Sequence, residues 1–338
     1  MKKQILNILK ILFFLGLGIL LVWLAVHNKT EEERNNIIDS ILHANYFWIG
    51  ISLIASLLSH YFRALRWKLL LNPLGYYPKT SNTFFAVMVG YLVNFAVYRM
   101  GEVTRCGLLT KYEKVPFTVG FGSVVAERAL DMICLIILFF ITLGIEFDRI
   151  VGIANRFIFD PFSSLLDSLM QKQLFVIISG VFLLIIVTAF FYFRKKIQAL
   201  ISGKAMGFVK GLWEGLISVK NVDKPILFIA HTILIWLMYI VVVYTCFFAF
   251  EGTSHLSFLV AVVIVVFGSL GVIATPGGTG AYQFIVITIL TTVYLVSDDS
   301  ANAFAWAVWT AQFALILLLG LISLVLLALL NKVAKSEE

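Results

Sequence analysis

Charged side chains that interrupt apolar sequence are the first candidates for chemistry in this chain. Arg99, Gly101, Glu102 and Arg105 follow an apolar run at residues 84–98, and Glu127, Arg128 and Asp131 lie inside another at residues 118–145. Charges near membrane depth must pair, line a wet cavity or sit at an interface. Four apart on a helix, Glu127 and Asp131 share a face, and Arg128 can reach Asp131 three residues on. Arg99 or Arg105 is then the expected compensating cation. Such a cluster either locks the segment 99–105 to this span or meets a substrate directly. Pro276, Gly277, Gly278 and Gly280, with Gln283 just beyond, form a second candidate. Glycine permits positive φ and close approach, so an unwound tip here could turn its N–H groups to an anion; the same composition also makes an ordinary tight turn. Arg63, Arg66 and Lys68 follow an apolar run at residues 46–62 and read as a helix exit, either holding lipid phosphate or anchoring the helix end.

These groups need positioning elements, and composition sets their class. With 61% hydrophobic and 13% charged residues and a mean hydropathy of +0.97, the chain is far more apolar than a soluble protein. It reads as an all-α polytopic membrane protein, a single membrane domain over residues 1–338. The net charge of +7 resides mostly in loops between apolar runs, which argues against a nucleic-acid partner. Cys106, Cys134 and Cys246 have no close pairwise spacing, and HExxH, CxxC and P-loop patterns are absent, so no metal or other cofactor is expected.

Six runs read as spans: residues 11–26, 46–62, 118–145, 174–193, 226–250 and 303–330. An acidic loop joins the first two. The basic segment 194–224 carries Met206, Val209, Leu212, Trp213 and Leu216 at helical spacing, as a helix on the cytoplasmic membrane surface would. Residues 84–98 would reach only about 22 Å as a helix, short of the roughly 30 Å hydrocarbon core. If this run crossed fully, Lys and Arg would divide 10 inside against 15 outside; if it enters from the cytoplasm and returns through residues 103–110, they divide 20 against 5. The second threading obeys the positive-inside rule and places both termini in the cytoplasm. It also exposes an inverted repeat. Residues 46–145 read span, hairpin, span; residues 225–330 read the same in the opposite direction, with short runs 258–274 and 284–296 around Pro276. Broken helices in inverted repeats are a common way to build a transport site at mid-membrane.

Arg63-Ala-Leu-Arg-Trp-Lys68, Arg99-Met-Gly-Glu-Val-Thr-Arg105, Glu127-Arg-Ala-Leu-Asp131 and Thr275-Pro-Gly-Gly-Thr-Gly280, in that order and spacing, resemble the lysylphosphatidylglycerol synthase transmembrane-region family, also described as flippase-like membrane proteins. The likeness covers nearly the whole chain. In the fused synthases the membrane part resembles a flippase for aminoacylated phosphatidylglycerol, and a separate soluble domain makes the lipid. With the chain ending at Glu338, a stand-alone member without that domain is expected, and not an enzyme of lipid synthesis. Where many members carry an acid after the glycine-rich tip, this chain has Gln283, which leaves a proton-linked or cation-binding role there open.

The expectation is therefore a multi-pass protein of the cytoplasmic membrane that handles or flips an anionic or aminoacylated lipid. Arg99, Glu102 and Arg105 would meet the headgroup, Glu127, Arg128 and Asp131 would orient them, and the tip at Pro276–Gly280 would close the cavity. The alternative is a membrane enzyme or accessory subunit acting on a polyprenyl phosphate or glycolipid. The partner is a membrane lipid or lipid-linked phosphate, and a homo-oligomer stays open.

Overall fold

The computed structural model describes residues 31–97, 99–147 and 221–336. The expected spans at residues 11–26 and 174–193 and the body of the surface segment 194–224 lie outside them. Every long element is helical: α1 (Glu31–Leu42), α2 (Tyr46–Leu71), α3 (Thr80–Ala96), α4 (Gly101–Glu113), α5 (Phe117–Ile145), α6 (Pro225–Phe247), α7 (Phe258–Ala274), α8 (Ala281–Thr292) and α9 (Asp298–Ser336). Four of them, α2, α5, α6 and α9, are long and apolar enough to cross a membrane. Their outer faces carry exposed apolar side chains, among them Ile133, Ile137 and Phe140 on α5, Ile229 and Ile233 on α6, and Leu318, Leu321 and Val325 on α9. Rows of this kind are lipid-facing surface, since water would drive them together. The chain is an integral, multi-pass, all-α membrane protein.

Two expectations change. The acidic stretch before α2 is the helix α1, not a loop. More important, α2 does not end near Phe62: capped by Asn45, whose side chain accepts from the Phe47 amide, it runs 26 residues to Leu71. Arg63 and Arg66 are thus interior residues of a helix whose inward stripe is Ser52, Ser56, Ser59, Arg63, Arg66 and Trp67. Small residues there let other helices approach closely. The apolar run stopped early only because the next inward positions are cationic.

The order long, short, short, long occurs twice, as α2 to α5 and α6 to α9. At 17 residues each, α3 and α7 extend only about 25 Å. Each pairs with its successor, α4 or α8, as a helical hairpin. At the first crossing a Cβ on Gly101 would lie 2.0 Å from the Gly90 carbonyl oxygen, so only glycine fits; at the second, a Cβ on Gly271 would lie 2.7 Å from the Tyr282 amide nitrogen.

Helix α9 measures how deep both hairpins reach. Asn331, near its C-terminal end, exchanges hydrogen bonds with Asn82 at the start of α3 (3.0 and 3.1 Å), and Gly320 abuts Leu92. Half-way along, Phe313 packs edge-on against Phe95 at the tip of the first hairpin, centroids 4.9 Å apart. One turn further toward its N-terminus, Trp309 Nε1 donates to the Gly277 carbonyl at the tip of the second (2.9 Å). That hairpin starts from the opposite end, where Gly252 abuts Ser300. The two hairpins enter from opposite ends of α9 and their tips meet beside its middle. Across the halves, α9 packs on α3 while α5 packs on α7, and α2 lies along α6.

Candidate functional site

Inside the first half, α2, α4 and α5 bring the sequence motifs together around two carboxylates. Arg63 Nη1 donates to Glu127 Oε1 (2.6 Å) and Asp131 Oδ2 (2.7 Å), and its Nη2 donates to the Tyr239 hydroxyl of α6 (2.9 Å). Arg66 Nη2 donates to Asp131 Oδ1 (2.6 Å) and, longer, to Glu127 Oε1 (3.4 Å); its Nη1 reaches Thr232 Oγ1 (3.4 Å). From the hairpin, Arg105 Nη2 donates to Glu127 Oε2 (3.1 Å). The Arg105 guanidinium also lies 4.7 Å above the ring of Trp67, whose Nε1 donates to Ser123 Oγ (2.9 Å). Arg128 points the other way: it donates to Glu102 Oε1 (2.9 Å) and is 3.8 Å from Asp131 Oδ2.

The cluster is graded by burial. Side chains of Glu127, Arg63, Arg66 and Arg105 are 4% exposed or less, Asp131 13%, Glu102 20% and Arg128 41%. Each buried carboxylate oxygen of Glu127 and Asp131 accepts from a guanidinium, which is what makes such charges tolerable away from water. Four arginines face three acids, leaving one positive charge in excess. Among the described residues, Nε of Arg63, Arg66, Arg105 and Arg128 has no partner. Beside the cluster, a cavity of about 10 Å³, the room of about one water, is lined by Tyr91, Asn94, Gly101, Glu102, Arg105 and Arg128. Asn94 Oδ1 accepts from the Gly101 amide (2.7 Å), capping α4 from the preceding helix.

Glu102, Arg105, Glu127, Arg128 and Asp131 thus form one site, in which Arg105 pairs with Glu127 but not with Asp131. Arg99 is exposed in the turn before α4, in left-handed backbone at φ 59°. Arg63 and Arg66, expected at a helix exit to hold lipid phosphate or anchor the helix end, are instead interior residues and the principal partners of Glu127 and Asp131, and Trp67 is buried under Arg105. At the glycine tip, part of the backbone bonds to itself. Gly278 and Thr279 amides donate within the turn, to Thr275 and Pro276 carbonyls (3.0 and 3.2 Å). Gly277, at φ 61°, makes its close approach to a ring: a Cβ there would lie 2.1 Å from Phe95. Phe95 follows cavity-lining Asn94, so the second tip abuts the first one residue beyond the cavity. Gln283 is fully buried on α8, and neither amide atom is hydrogen-bonded among the described residues. Among the described residues, no three His, Cys, Asp or Glu side chains gather to hold a metal. Sequence reasoning missed Tyr239, Thr232, Tyr91 and Asn94; the first two were visible as polar interruptions of an apolar span.

A family model described as the lysylphosphatidylglycerol synthase TM region matches residues 7–320. A UPF0104 membrane protein, MJ1595 from Methanocaldococcus jannaschii, is 31% identical over 121 residues, 35% of this chain and 35% of the relative's own length. No solved structure matches.

Proposed function

The chain belongs to the lysylphosphatidylglycerol synthase transmembrane-region family, and from that premise we propose that it translocates an anionic or aminoacylated phospholipid across the cytoplasmic membrane. The observation that carries this reading is the excess of one arginine over the acids around the cavity between α3, α4 and α5. A surplus buried cation is costly until an anion completes it, and a phosphate oxygen fits a guanidinium both in charge and geometry. Both oxygens of Glu127 and of Asp131 are engaged by arginines, which favours carriage over catalysis for the buried acids. Two hairpins that enter from opposite ends and meet at their tips are the architecture of an inverted repeat with a site half-way across. In this reading both hairpins are re-entrant. The mouth of the first lies at the end of the bundle shared by the basic loops, which is the cytoplasmic side, together with both termini.

The test is translocation of fluorescent phosphatidylglycerol, its lysyl ester and phosphatidylcholine in proteoliposomes, read by quenching of the outer leaflet. The wild-type protein should move the first two, and Arg105→Gln should slow them about tenfold, the loss of one charge-assisted contact of roughly 1.4 kcal/mol. A wild-type protein that moves none of them, or a folded Arg105→Gln that moves them at the normal rate, overturns the proposal.

A further inference from the structure

The part of the cluster nearest to solvent already holds an anion of the protein's own. Glu102 stands in the first turn of α4, where the helix dipole favours a negative charge, and one of its carboxylate oxygens accepts from Arg128 Nη2 (2.9 Å). The Glu102–Arg128 pair is 20% and 41% exposed, whereas the arginines beneath it are almost fully buried. Both residues line the cavity, and so does Arg105, which is 3% exposed and whose Nε has no partner among the described residues. A carboxylate leaving this position would therefore free Arg128 beside a cavity that Arg105 also lines.

We propose that Glu102 is a resident anion, which an incoming phosphate group displaces from Arg128. This rests on the translocation reading and deepens it: the protein keeps its surplus cations masked, and only a ligand carrying a negative charge can compete for them. Glu102 is thus the residue that sets selectivity for anionic headgroups, and its removal tightens their binding instead of weakening it.

The experiment is isothermal titration of the purified full chain in an uncharged detergent with dihexanoyl phosphatidylglycerol, inorganic phosphate and, as the uncharged control, dihexanoylglycerol. Glu102→Gln should bind the phospholipid about fivefold tighter than wild type, the scale of a half-exposed ion pair, with no change for dihexanoylglycerol. Glu102→Asp keeps the charge on a shorter stem and should give a smaller gain, about twofold; it carries the test if Glu102→Gln does not fold. A gain for phospholipid and inorganic phosphate alike assigns the displaced position to phosphate itself, and a gain for the phospholipid alone assigns it to the lipid headgroup. If wild type binds the phospholipid but the variants bind it equally or more weakly, Glu102 is part of the binding surface and the displacement idea falls while the translocation reading stands. If neither wild type nor variant binds either anion, both fall.

Discussion

At the scale of single residues, burial separates the charges that hold the fold from those that can change partner. Glu127 is fully buried and accepts from Arg63, Arg66 and Arg105. Replacing it with Gln leaves three buried guanidinium groups to share Asp131, which should cost roughly 3–5 kcal/mol and lower the melting temperature in detergent sharply. Arg128 is half-exposed, so Arg128→Ala should cost about 1 kcal/mol or less. A Glu127→Gln protein that melts like the wild type would mean that water reaches the cluster. Arg66 belongs with Glu127 in this ranking and not with helix-end anchors, since its side chain is fully buried.

Between elements, the close contacts are made by glycines whose missing Cβ is filled by another segment. Gly101→Ala would press a methyl group against the Gly90 carbonyl and force α3 and α4 apart, so the expected outcome is loss of folded protein in size-exclusion chromatography. Gly277→Ala meets the ring of Phe95 and should also be damaging, but here the obstacle can be removed. In the Phe95→Ala, Gly277→Ala double variant the clash is gone and only the strain of an alanine held at positive φ remains, about 1 kcal/mol. The double variant should therefore be more stable than the sum of the two single changes. Additive melting shifts would show that the two tips do not touch.

For the molecule as a whole, the hydrogen bonds of α9 set which loops share an end. Asn331, Asn82 and Glu113 are linked at one end through Asn82 Nδ2, and the turn before Asp298 lies at the other. In a Cys-free background, Lys111→Cys should be protected from an impermeant thiol reagent on intact cells, while Ser297→Cys should be labelled. Labelling of both from outside would break the hairpin threading.

Composition and periodicity alone determined that this is a helical membrane protein, that residues 84–98 are too short to span comfortably, and that the charges near Glu102 and Glu127 need each other. These follow from quantities carried by the chain itself, namely helix rise, hydrocarbon thickness and the cost of charge in lipid. Tertiary structure decided the partners. Hydropathy ends α2 at Arg63 because it prices each residue as if it faced lipid, whereas Arg63 and Arg66 face carboxylates more than sixty residues away. The glycine tip likewise carries a signal for close approach without naming what approaches. Only the meeting of two hairpins beside α9 identified Phe95, because a contact between distant segments depends on how the helices cross and not on the order of residues within either one.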